Sequence, residues 1–153
     1  MTAAAVPSHV FVVFIKATPE RIWDAITQSE FTLQYYFAST VESQWTAGAD
    51  YTYLLQGQPG IVGTVLESDP PRRLAMTFDA RWDEEVTSDP PSRIAWEIEP
   101  AGDELSKLTV VHDGFESESH TYRQVGGGTP LILSGLKTLL ETGQPLHLPA
   151  GVA

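Results

Sequence analysis

The sequence contains no cysteine. That one absence excludes disulfides, thiolate zinc sites and cysteine nucleophiles. Cations are scarce as well: nine lysines and arginines stand against 20 aspartates and glutamates, giving a net charge of −11. Nucleic acids and anionic membranes are held largely by Lys and Arg contacts to phosphate, so neither is an expected partner. The acid excess confers solubility and, as a whole-molecule field, disfavours anionic ligands. No apolar run approaches the roughly 20 residues that span a bilayer. The N-terminus, MTAAAVPSHV, has no basic segment, and the apolar run Val10–Ile15 is too short for a signal-peptide core. The expectation is a soluble, cytoplasmic protein.

Catalytic signatures are missing too. His9, His112, His120 and His147 include no i, i+4 pair and no HExxH, so no metal site is expected. Gly126-Gly127-Gly128 is not followed by Lys-Ser/Thr and is not a phosphate loop. Ser39 and Ser134 lack a nucleophile-elbow context. Asp79 and Asp113 fall on outward strand faces by alternation, which leaves a paired-carboxylate site unsupported. No cofactor is implied.

What is present begins with Thr129–Gly143, TPLILSGLKTLLETG. At 100° per residue, Ile132, Leu133, Leu136, Leu139 and Leu140 share one arc, and Ser134, Lys137, Thr138 and Glu141 lie off it. Thr129 suits the N-cap, Pro130 the first helical position and Gly143 the C-terminal stop. Near the other end, Val10–Lys16 reads as a strand. Thr18-Pro19-Glu20 opens a helix carrying Ile22, Trp23 and Ile26, and Ser29-Glu30 opens a second short one through about Tyr36. From Val41 on, short alternating segments are separated by turns at Gly48–Asp50, Gly57–Gly60, Asp69–Pro71 and Pro100–Asp103. Leu74, Met76, Phe78, Ala80 and Trp82 share one face, as do Ile94, Trp96 and Ile98, and as do Leu108, Val110 and His112. Asp83–Ser92 is acidic and contains proline, hence an exposed loop. About seven consecutive strands with segregated helices specify an α+β fold, an antiparallel meander packed on the last helix. One domain over residues 9–146 is expected, with residues 1–8 and 147–153 as terminal arms.

Four segments in this order, FVVFIKATPERIWDAIT, GTVLESDPPRRLAMTF, KLTVVHDGF and PLILSGLKTLLETG, resemble the START-like (SRPBCC) superfamily. The closest resemblance is to the branch of homologues of the heat-shock protein 90 ATPase activator, over about Val10 to Gly143. It implies a helix-grip fold: a curved antiparallel sheet wrapped round a long C-terminal helix, two short helices after the first strand, and a cavity between sheet and last helix. Members often carry a Gly-Trp pair ahead of that helix. Here the matching place reads Gly128-Thr129, so the aromatic anchor is absent and the resemblance implies a looser cavity mouth.

If that cavity exists, Trp82, Trp96, Phe78, Met76, Tyr53, Leu136 and Leu140 would line it and suit an apolar or aromatic ligand. The competing reading of each is ordinary core. His112 points inward by alternation. It reads either as a ligand partner or acid/base, or as a buried histidine satisfied by a neighbour. Tyr51, Tyr53 and Tyr122 could offer hydroxyls or simply pack. Three functions follow. The first is binding of a small hydrophobic molecule. The second is cyclase- or dehydratase-type catalysis with His112 as acid/base. The third is an interaction or co-chaperone-like role with a protein partner or, as a homodimer, with a second copy. An exposed apolar patch on one sheet edge or on the Ile22–Ile26 helix would favour the third.

Overall fold

The computed structural model describes residues 7–147, so the expected terminal arms fall almost entirely outside the described residues. Alternating apolar positions become seven strands: β1 (His9–Ile15), β2 (Thr40–Ser43), β3 (Asp50–Leu55), β4 (Gln58–Asp69), β5 (Arg73–Ala80), β6 (Ser92–Gly102) and β7 (Leu105–Asp113). They form one antiparallel sheet in the order β1-β7-β6-β5-β4-β3-β2, so β1 and β2 are the edges. Register shifts at Tyr53/Leu54, Val65/Glu67 and Pro100/Gly102 mark bulges, which bend a strand and increase its twist. The sheet curves round a C-terminal helix, as the helix-grip expectation required.

Two short helices follow β1. In α1 (Pro19–Thr27) the Thr18 hydroxyl accepts from the Arg21 N–H and Pro19 opens the helix. The α2 helix (Ser29–Tyr35) starts with Glu30 in its first turn, where a carboxylate suits the dipole. Between β3 and β4 the chain reverses in two residues, Gln56 and Gly57, both with positive φ (51° and 77°). That is the type I′ geometry that matches strand twist, and it makes the hairpin tighter than the expected Gly57–Gly60 turn.

Two expectations are corrected. The acidic stretch 83–92 is not purely an exposed loop. It contains a one-turn helix, α3 (Glu84–Thr87), capped by the Asp83 carboxylate on the Val86 N–H, and Val86 is buried. The last helix, α4, runs from His120 to Thr142, not from Thr129. Ser119 is its N-cap, accepting from the Tyr122 N–H, and Asp89 accepts from the Thr121 N–H and hydroxyl. Gly126, Gly127 and Gly128 are therefore helical, Gly128-Thr129 lies within the helix, and Pro130 is interior. Gly143 does stop the helix, in the left-handed conformation at φ 77°.

Magnitudes explain why the helix continues through such unsuitable residues. Interior glycines cost about 1 kcal/mol each relative to alanine, and an interior proline about 3. Ile132, Leu133, Leu136, Leu139 and Leu140 are all buried, and burial of such side chains contributes about 2 kcal/mol apiece. Packing outweighs propensity, and it extends upstream through Thr121, Val125 and Thr129, which are buried on the same face. An added Cβ at Gly127 would meet nothing within 4 Å, whereas at Gly126 it would lie 3.0 Å from the His9 ring. Gly127→Ala is therefore expected to stabilise the protein by about 1 kcal/mol in urea denaturation. Gly126→Ala should gain clearly less.

Candidate ligand cavity

Helix and sheet do not fill the space between them evenly. A cavity of about 620 Å³ lies under the N-terminal half of α4. Its floor is Tyr53 and Leu55 of β3, Ile61 of β4, Phe78 of β5, Ile94 of β6 and His112 of β7. Its roof is α4 from Arg123 to Ile132, and Tyr36, Phe37 and Trp82 close the sides. The deep residues Tyr53, Phe78, Ile94 and His112 are buried, while Phe37, Arg123, Gln124 and Gly127 at the mouth are exposed. Phe37 and Ala38 both adopt positive φ (49° and 54°), an unusual conformation for non-glycine residues that sets Phe37 opposite Gly128.

Of the eight residues expected to line a cavity, Tyr53, Phe78, Trp82 and His112 do so. Met76 and Trp96 lie behind the floor, on an adjoining crevice too narrow for water. Leu136 and Leu140 are packed in the core and are not on the cavity wall. Trp82 is just past the end of β5, half-buried, with its indole N–H donating to Gln124 Oε1 at 2.8 Å. Tyr51 gives its hydroxyl to the Thr77 carbonyl, and Tyr122 stacks on His9 with centroids 4.1 Å apart. Neither lines the cavity. Burial keeps the Tyr53 hydroxyl well above its usual pKa, so it stays protonated.

His112 is buried and inward, as alternation requires. Phe115 stacks on the ring at 4.7 Å and Phe78 meets it edge-on at 4.5 Å. The Ser92 hydroxyl lies 2.8 Å from Nε2 and 3.5 Å from the Phe78 carbonyl. Which of Ser92 and His112 donates follows the tautomer of the ring. The other ring nitrogen, Nδ1, has no partner among the described residues. Desolvation, assisted by nearby His9 and opposed by Asp113, holds the His112 pKa down at about 3. The ring is neutral at physiological pH. Asp79 and Asp113 face outward and pair with Arg81 and Arg93. Among the described residues no three His, Asp or Glu side chains cluster as metal ligands would, and no helix is long and apolar enough to cross a membrane.

Sequence reasoning missed the upstream half of the roof. The signal was present, because Val125, Thr129, Ile132 and Leu136 continue one helical stripe, but three glycines interrupt it. Phe37 and Arg123 had no comparable signal.

The model of the family described as Activator of Hsp90 ATPase homolog 1-like protein matches residues 16–141. The chain belongs to this family. It is accordingly a START-like protein of the Hsp90 ATPase activator branch, as the four segments implied. No curated protein matches it. Solved structures share the fold. Protein MLL2253 from Mesorhizobium loti superposes with a TM-score of 0.75 at 20% identity, over 88% of this chain and 97% of that one. The Aha1 dimer from Colwellia psychrerythraea gives 0.72 at 16% identity, over 90% and 98%. PFC0360w, an HSP90 activator from Plasmodium falciparum, gives 0.69 at 19%, over 90% and 97%. At these identities the likeness is one of fold.

The depressed His112 pKa carries a pH signature. Between pH 6.5 and about 3 the unfolded chain takes up a proton that folded His112 refuses, so stability falls as pH drops through that window. The slope is at most about 1.4 kcal/mol per pH unit. Urea denaturation at stepped pH should show a shallower loss for His112→Gln than for the parent over this range, with the two profiles parallel above pH 7.

Proposed function

We propose that this protein binds a small apolar molecule, aromatic or lipid-like, in the cavity beneath the N-terminal half of α4. The observation that supports this is the cavity itself. At about 620 Å³ it falls within the range of small-molecule sites, and its walls are mainly apolar with few polar groups. Affinity comes chiefly from desolvating the ligand. Tyr53, Phe78, Trp82 and His112 contact the ligand in this reading, with the Tyr53 hydroxyl and His112 fixing its orientation. Met76, Trp96, Leu136 and Leu140 hold the wall from behind. Acid/base catalysis is less well supported, because a base with a pKa of about 3 is far from the operating pH of an efficient proton shuttle.

The test is native mass spectrometry of freshly purified protein, with solvent extraction of anything it carries. An apolar adduct is expected, and Thr129→Phe, which fills the buried roof position, should remove it without altering the circular dichroism spectrum. A protein that carries no adduct and takes up no N-phenyl-1-naphthylamine would overturn the reading.

A second reading rests on β1. This edge strand turns Val10, Val12 and Phe14 away from α4, and they are 62%, 52% and 48% exposed. A row of large apolar side chains on a sheet edge marks an association surface. The occupant we propose is a second copy of the chain, in keeping with the dimer described for the Colwellia protein. Sedimentation velocity should show a dimer that Val12→Asp converts to monomer while ligand uptake is retained. A monomeric parent at every concentration would sink this reading.

A further inference from the structure

We infer that the molecule bound in the cavity is amphipathic, with an apolar body and a single terminal anionic group paired with Arg123 at the mouth. This rests on the cavity reading above and names the kind of ligand the cavity takes.

The starting point is how the six arginines are used. Arg72 pairs with Asp69, Arg73 with Glu67 and Glu97, Arg81 with Asp79, and Arg93 with Asp113. Arg21 donates to the Leu140 carbonyl. Arg123 has no carboxylate or carbonyl partner among the described residues, in a chain with more than twice as many acids as cations. It is also the arginine that lines the main cavity, at its exposed rim. It stands four residues past the Ser119 cap of α4, near the positive end of the helix dipole, where a cation is disfavoured and an anion is stabilised. The acids of residues 83–89 make their contacts elsewhere rather than with Arg123: Asp83 accepts from the Val86 N–H and the Gln124 amide, Asp89 accepts from Thr121, and Glu85 lies 3.3 Å from His120.

The rest of the cavity sets the other half of the specificity. Its other polar side chains are neutral: the Tyr36 and Tyr53 hydroxyls, the His112 ring, the Gln124 amide already committed to Trp82 and Asp83, and the Thr129 hydroxyl. None can balance a buried charge, so a charge deep in the cavity is excluded and one at the rim is not. The whole-molecule charge of −11 disfavours anions at long range. Its field is screened beyond about 8 Å at physiological ionic strength, so at contact the guanidinium decides.

Two fluorescent probes with the same aromatic body separate the effects: 8-anilinonaphthalene-1-sulfonate, which is anionic, and N-phenyl-1-naphthylamine, which is neutral. Each is titrated into the full chain, and signal remaining in Thr129→Phe is subtracted as binding elsewhere. Arg123→Gln is expected to weaken the anionic probe about fivefold and leave the neutral one unchanged. Arg123→Lys should restore most of the loss, and added salt should weaken the anionic probe in the parent only. If both probes bind and Arg123→Gln leaves the anionic one unchanged, or weakens both equally, the anion site is refuted and the cavity reading stands. Binding of the neutral probe alone has the same meaning. If neither probe binds, both readings fall.

Discussion

The contact on which this fold depends is the buried stripe of α4 against the concave face of the sheet. Its two halves are built from side chains of different size. Leu133, Leu136, Leu139 and Leu140 in the C-terminal half fill the gap to the sheet and join the core with Ile15, Ile22 and Trp96. The N-terminal half offers Gly127, Gly128 and Thr129 to the same gap, and these are too small to fill it. The cavity lies where these small residues face the sheet, and Val125, Leu131 and Ile132 complete its roof. Stability comes mainly from the leucine-rich half and open space from the small residues, and one helix carries both.

Charge is divided in a similar way. Arginine–carboxylate pairs lie on the outer face of the sheet and in the turns, where solvent screens them and each contributes little to stability. The cavity floor carries the Tyr53 hydroxyl and the His112 imidazole, and burial keeps both uncharged. Ser92 bonds one nitrogen of that imidazole, and the other has no partner among the described residues. A buried polar atom without a partner is costly unless something else satisfies it. In the binding reading proposed above, His112 would orient a ligand rather than move a proton.

Much of the fold was legible because period-2 alternation and helix caps are local signals. The face assignments of Met76, Phe78, Trp96 and His112 were right, as were the Thr18 cap and the Gly143 stop. The start of α4 was not legible, since its glycines and Pro130 carry the local signature of a loop. Only the tertiary burial of Val125 and Thr129 overrides that signature. The site was legible in part for the same reason. Alternation says which face a residue takes but not how far along the helix the packing ends, so Leu136 and Leu140 were assigned to a space they in fact close off. Phe37 and Arg123 sit in irregular or apparently irregular backbone, where no periodicity points inward or outward.

Pro130 has no amide hydrogen, so the carbonyl of Gly126, one turn earlier, lacks its usual helical partner. The hydrogen-bond ladder of α4 is weakest where three glycines also make the backbone easiest to disorder. The expected consequence is that the stretch over the cavity opens more readily than the leucine-rich stretch, which the core holds. In the binding reading proposed above, a ligand would need only a transient loss of helicity in the roof to enter or leave, and its exchange rate would be set by the sequence of the roof rather than by the stability of the protein as a whole.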